Sequence, residues 1–146
     1  MTGRGASALR PAEARDAAPI AALLTAEGYP AGPSDIATRL AAFDDGLSGV
    51  FVVTASDDVV GFVAVHVMPR FEHGDRIARV LALVVDEDAR ERGFGRELMG
   101  AAETHAREQG CAFIEVTAGR HRPDALQLYE AAGYEAGVVA YLRKRF

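Results

Sequence analysis

The chain of 146 residues has a single cysteine, Cys111. No internal disulfide can form. Within "GCAFIEV", between two apolar segments, the thiol reads as a small buried hydrophobe. With His66, His73, His105 and His121 scattered along the chain, no ligand spacing for zinc emerges, and no metal is expected. No apolar run approaches the ~20 residues of a membrane span. The opening "MTGRGASALR" lacks the apolar core of a secretory leader, so a cytoplasmic protein without membrane contact is the expectation. Positive charge is also short: 16 Lys+Arg against 21 Asp+Glu give −5. Nucleic-acid binders usually carry a net basic face, and no nucleic-acid partner is expected. Repeats and dividing linkers are absent too.

What is present suits one soluble domain. The composition is 49% hydrophobic and 25% charged, and a chain of this length buries roughly 68–70% of its unfolded surface. Residues 1–6 read as a loose tail and 7–146 as the domain. After a short strand at "ALR", the stretch "DAAPIAALLTAEG" reads as a helix. Asp16 is positioned to cap it, Ile20, Leu23 and Leu24 share one face, and Gly28 ends it. "PSDIATRLAAF" is a second helix. The period then changes. "VFVVTA", the turn "SDD" and "VVGFVAVHVMP" form a valine-rich hairpin, the loop "RFEHGD" follows, and "IARVLALVV" adds a third strand. "GRELMGAAETHAREQG" is a long helix, "CAFIEVTA" a strand, "PDALQLYEAAG" a helix opened by Pro123 and stopped by Gly133, and "VVAYLRKRF" a last strand. The order β-α-α-β-β-β-α-β-α-β predicts an α/β (α+β) fold: a single mixed, mostly antiparallel sheet of about six to seven strands with helices on both faces.

The stretch "RERGFGR" at 90–96 places glycines between arginines where the long helix begins. A Walker loop needs Gly-Lys-Ser/Thr after its glycines, and here Arg96 and Glu97 follow Gly95. A dinucleotide fingerprint needs a third glycine or alanine where Leu98 stands, and a first βα turn rather than a mid-chain one. What remains is a helix N-terminus whose unpaired N–H groups converge on one spot. Gly93 and Gly95 admit close approach of an anion, and Arg90, Arg92 and Arg96 supply charge.

The segment "LALVVDEDARERGFGRELM" resembles the signature of the GCN5-related N-acetyltransferases (GNAT): a strand closing in Val85, then Arg90, Gly93 and Gly95 in an Arg/Gln-x-x-Gly-x-Gly/Ala turn that opens a helix. "RPDALQLYEAAGYE" resembles the family's second signature, an Ala-x-x-x-Tyr helix followed by Gly-Tyr. Motifs and element order together resemble a small, bacterial, single-domain member. The resemblance implies acetyl-CoA as cosubstrate, with its pyrophosphate on Arg90, Glu91, Arg92, Gly93, Phe94, Gly95 and Arg96. It implies a pantetheine arm beside Leu83, Val84 and Val85, in a gap where the fourth and fifth strands part. A strand bulge commonly makes such a gap, but none is visible in the sequence. A backbone N–H near Val84 would hold the developing oxyanion, and Tyr129 would give a proton to the leaving thiolate, as a phenol protonated at neutral pH. Arg122 stands where many members carry asparagine; an arginine there can still touch CoA.

An alkylammonium acceptor must lose a proton before it attacks. Some members use a glutamate four residues before the closing valine, but that position here is Leu81. Glu72 and His73 in "RFEHGD" are the catalytic candidates, with Asp75 and Glu115 as further ones; histidine titrates near neutrality. The acceptor is expected to be a small-molecule amine, read by "EGYPAGPSD", "RFEHGD" and Tyr141. Asp35, Glu72 and Asp75 are positioned to attract a cation. Alternatives are a protein or peptide amine, or a non-catalytic acyl-CoA-binding sensor. Monomer and homodimer are both open.

Overall fold

The computed structural model describes residues 6–117, 123–137 and 139–146. Five strands form one sheet in the order β1-β2-β3-β4-β5: β1 (Ser7–Pro11), β2 (Gly49–Ala55), β3 (Asp58–Arg70), β4 (Asp75–Val85) and β5 (Cys111–Val116). Neighbours are antiparallel except β4 and β5, which are parallel. The helices are α1 (Ala17–Ala26), α2 (Pro33–Ala42), α3 (Phe94–Glu108) and α4 (Pro123–Ala131).

Alternation along the strands explains the two cores. On one face Val53, Val63, Val65 and Val67 meet Phe94, Leu98, Met99 and Ala102 of α3, with Tyr129 of α4. On the other, Val52 and Phe62 meet Ile20, Leu23 and Ile36 of α1 and α2. Side chains of a strand point alternately to its two faces, so one valine-rich run serves both. The helices expected on both faces are found there.

The β2–β3 turn is a two-residue one. Ser56 and Asp57 both take positive φ (50° and 69°), the twist-matching geometry of tight hairpins. At the next hairpin, Arg70 and Asp75 face each other in register and pair through Nε–Oδ1 at 2.8 Å and Nη2–Oδ2 at 2.7 Å.

Asp16 does not cap α1 with its side chain. Its carboxylate is buried, and both oxygens accept from the Arg10 guanidinium at 2.7 and 2.9 Å, while Glu13 N donates to Oδ2 at 2.7 Å. The Arg10 hydrogen bond, aided by the Glu13 N–H and opposed by burial, holds the Asp16 carboxyl below the usual carboxylate range. A lowered native pKa stabilises the fold above the unfolded-state pKa, and that stability is lost as pH falls through the native value. Asp16→Asn is therefore expected to cost about 1–3 kcal/mol at pH 7 by leaving Arg10 unpaired. The cost should shrink in acid. Urea denaturation of both proteins at neutral and acidic pH measures it; equal midpoints at neutral pH would refute the role.

Among the described residues of the predicted final strand, 139–146 carry no ladder, and the described sheet has five strands rather than six or seven. Alternating apolar residues set only a preference, which becomes a strand when a neighbour pairs with it. Here Val139 and Leu142 stand exposed instead. Residues 1–5 of the expected tail lie outside the described residues; Ala6 already joins the fold, its carbonyl accepting from Ser56 N at 2.8 Å.

Candidate active site

The site begins with one extra residue. Ala64 pairs with Ala82 and Val65 with Val80, leaving Leu81 as a bulge in β4. Because side chains alternate, the insertion reverses which face each later residue serves. Ala78 and Val80 pack on the α3 side, whereas beyond Leu81 that side receives Leu83 and Val85, and Ala82 and Val84 turn to α1 and α2. Pairing with β5 ends at the same point: the last matched residues are Val80 and Val116. Among the described residues, β4 from Ala82 to Val85 is paired by β3 alone. The sheet opens there into a cleft of ≈ 650 Å³.

Three layers wall this cleft. The bulged strand contributes Leu81 to Val84, the C-terminal end of β5 contributes Val116 and Thr117, and α4 contributes Ala125 and Tyr129. Opposite them stand Glu27 and Tyr29 of the α1–α2 connection, Arg39 of α2, and Arg143 of the C-terminal segment. Tyr129 is buried, its ring 6.0 Å from that of Tyr134. The Tyr134 hydroxyl donates to Glu103 Oε2 at 2.8 Å. Burial, with that carboxylate, pushes the Tyr134 phenol pKa up and keeps it protonated.

The glycine turn follows β4 directly. Asp86 Oδ1 accepts from Asp88 N at 3.0 Å and shapes a short 3₁₀ turn. Ala89 and Phe94 anchor the loop in the core at 4% and 1% exposure. Between them Glu91 and Gly93 adopt positive φ, 65° and 85°. Gly93 is the N-cap of α3 and, as glycine, has no side chain to cap it; a helix N-terminus opened by glycine suits an anion. A Cβ on Gly95 would stand 3.2 Å from Leu128 Cδ2, so α4 lies close against the turn. The arginines are partly engaged. Arg90 Nη2 meets Glu27 Oε1 and Nε donates to the Val85 carbonyl at 3.3 Å. Arg92 reaches the Asp88 carbonyl and Arg96 the Ala131 carbonyl, both at 3.2 Å.

The other candidate residues are dispersed. Glu72 and His73 lie on the exposed β3–β4 turn and are not among the described residues lining the cleft. A tight hairpin carries its turn residues beyond the end of the ladder, here at the end of β4 remote from the bulge. Asp75 is taken by Arg70, and Asp35 accepts from Gly32 N at 2.8 Å to start α2. Glu115 is held by Arg79 at 2.5 and 2.9 Å; both line an adjoining cavity of ≈ 900 Å³ along β5 and the segment after α4, which shares Val116, Thr117 and Tyr129 with the cleft. Arg122 lies outside the described residues. Among the described residues no cluster fit for a metal occurs, and no helix is long and apolar enough to cross a membrane. Glu27, Arg39 and Arg143 carry no motif; the sequence signal was only that Glu27 opens the segment "EGYPAGPSD".

A mixed sheet parted at a bulge, with a glycine-capped helix opening beside the parting, is the architecture implied by the family that the sequence resembles. The chain belongs to the GNAT acetyltransferase family: the family model described as "Acetyltransferase (GNAT) family" matches residues 16–134. Over 78 residues it is 31% identical to an aminoalkylphosphonate N-acetyltransferase of Salmonella typhimurium, a match covering 53% of this chain and 51% of the relative. The chain thus spans about half the length of that curated relative. Two solved structures share the fold: a transcriptional regulator from Bacillus halodurans, at TM-score 0.87 and 24% identity over 97% of this chain and 100% of that one, and a ribosomal-protein-alanine N-acetyltransferase from Brucella melitensis, at TM-score 0.80 and 23% identity over the same shares.

Proposed function

We propose that this protein transfers the acetyl group of acetyl-CoA to the primary amine of a small molecule. The observation that carries the reading is the parting of β4 from β5 at Leu81, with Tyr129 buried against the gap. The residues present fit the donor. The glycine-capped N-terminus of α3 and the bare Gly95 suit a pyrophosphate. The β4 edge from Ala82 to Val85, without a strand partner on the cleft side among the described residues, offers backbone groups to an amide-bearing arm.

The donor supplies an activated thioester. The amine nitrogen attacks its carbonyl carbon; the C–N bond forms and the C–S bond breaks. The chain holds the carbonyl oxygen with a backbone N–H near Val84, where negative charge develops. Tyr129 gives its phenolic proton to the departing sulfur, and the amine's own proton leaves toward solvent. A cleft of this size suits a small acceptor. The curated relative, named for an aminoalkylphosphonate, supports that choice over a protein substrate.

Thiol release from acetyl-CoA, followed over a panel of small amines and a peptide with a free N-terminus, tests the proposal. Release with small amines and none with the peptide is the expected result. Release confined to the peptide would overturn the small-molecule assignment. Tight acetyl-CoA binding with no release on any amine would make the protein an acyl-CoA-binding module instead.

A further inference from the structure

We infer that the acceptor bound in this cleft is an amine whose other end carries an anionic oxygen group, a carboxylate or a phosphate, held by Arg39 and Arg143. The acetyl-transfer reading stands behind what happens at the amine; the anion site rests on the cleft alone.

The charge of the cleft differs from that of the chain. The net charge is −5, but among the described lining residues the charged ones are Glu27, Arg39 and Arg143. Glu27 is already met by Arg90 of the glycine turn. Arg39, in the last turn of α2, makes no side-chain hydrogen bond or ion pair among the described residues. Arg143 donates to the Tyr141 hydroxyl at 3.3 Å and lies over the Tyr141 ring at 5.5 Å, which orients the guanidinium without neutralising it. The carboxylates that would draw a cation are elsewhere: Asp35 and Asp75 are committed to a helix start and an ion pair, and Glu72 is on the distant turn.

Both arginines are exposed residues bordering the cleft, and guanidinium groups without a counter-charge at a cleft attract anions whatever the net charge. A guanidinium fork matches the paired oxygens of a carboxylate or phosphate, while a second ammonium would be repelled. These arginines belong to α2 and the C-terminal segment, not to the turn before α3 that suits the donor's phosphates.

Calorimetry on the CoA-loaded protein with 3-aminopropionate, 2-aminoethyl phosphate, ethanolamine and 1,3-diaminopropane tests the inference. At least one of the two anionic amines is expected to bind roughly ten- to a hundred-fold more tightly than ethanolamine, with the diamine weakest. Comparing the carboxylate with the phosphate names the anion. Arg39→Gln and Arg143→Gln should each collapse that ratio toward one while acetyl-CoA affinity is retained. Equal binding of all four amines, preference for the diamine, or loss of acetyl-CoA affinity in the variants without a change in amine selectivity would overturn it. Thiol release on the same panel separates the two readings. Anion-selective binding without turnover refutes acetyl transfer and keeps the anion site; turnover indifferent to the anion does the reverse.

Discussion

Gly95→Glu is expected to abolish measurable acetyl-CoA binding while leaving the protein folded. Gly95 is the second residue of α3, whose N-cap is Gly93. Its Cβ would meet Leu128 Cδ2 at 3.2 Å, the flexible tip of a side chain that has to give by only a few tenths of an ångström. Replacing glycine inside a helix gains about 0.5–1 kcal/mol, and an acid in the first turn adds roughly 0.3–1 kcal/mol through the helix dipole. The same carboxylate occupies the spot the N–H groups offer to phosphate and repels a second anion. Thermal unfolding should therefore occur at or above the wild-type temperature, and the calorimetric signal for acetyl-CoA should vanish. Gly95→Ala, which adds the Cβ without charge, should weaken binding far less. Wild-type affinity in the glutamate variant would place the donor's phosphates elsewhere.

Tyr129→Phe is expected to lower kcat by roughly a hundred-fold or more, the range of general acid catalysis, with acetyl-CoA affinity near that of wild type. The phenylalanine ring keeps the packing against Tyr134 and the core, so the change reports on the hydroxyl. A role limited to packing would leave both stability and kcat nearly intact. Steady-state kinetics beside acetyl-CoA calorimetry distinguishes these, since loss of an interaction made only in the transition state lowers kcat without raising KM. An unchanged kcat would remove Tyr129 from the chemistry.

Much of the fold was legible because its signals are local. Valine-rich alternation marked β2 and β3, Gly28 and Gly133 marked helix ends in left-handed conformation, and the "RERGFGR" turn announced the start of α3. The last strand was over-read for the converse reason: "VVAYLRKRF" has the composition of a strand, but pairing is decided by a neighbour that local sequence does not contain. Asp16 has the residue type of a cap, yet a partner in β1, Arg10, claimed its carboxylate.

The site divides along the same line. By itself the sequence determined the parts whose function lies in the backbone of one short segment: the glycine turn, the strand leading into it, and the tyrosine on α4, all named by type and spacing. Only the tertiary structure decided the cleft. It placed the extra residue at Leu81, the position where the sequence had shown only a missing glutamate, and that bulge reverses the strand's faces and parts β4 from β5. It brought Glu27, Arg39 and Arg143 together from segments far apart in the chain, and it carried Glu72 and His73 to a turn away from them. Turn and helix signals act over a few residues and can be read in sequence order. The charge and shape of a cleft are sums over residues that meet only after the sheet has closed its register, so the donor side could be read from the chain and the acceptor side could not.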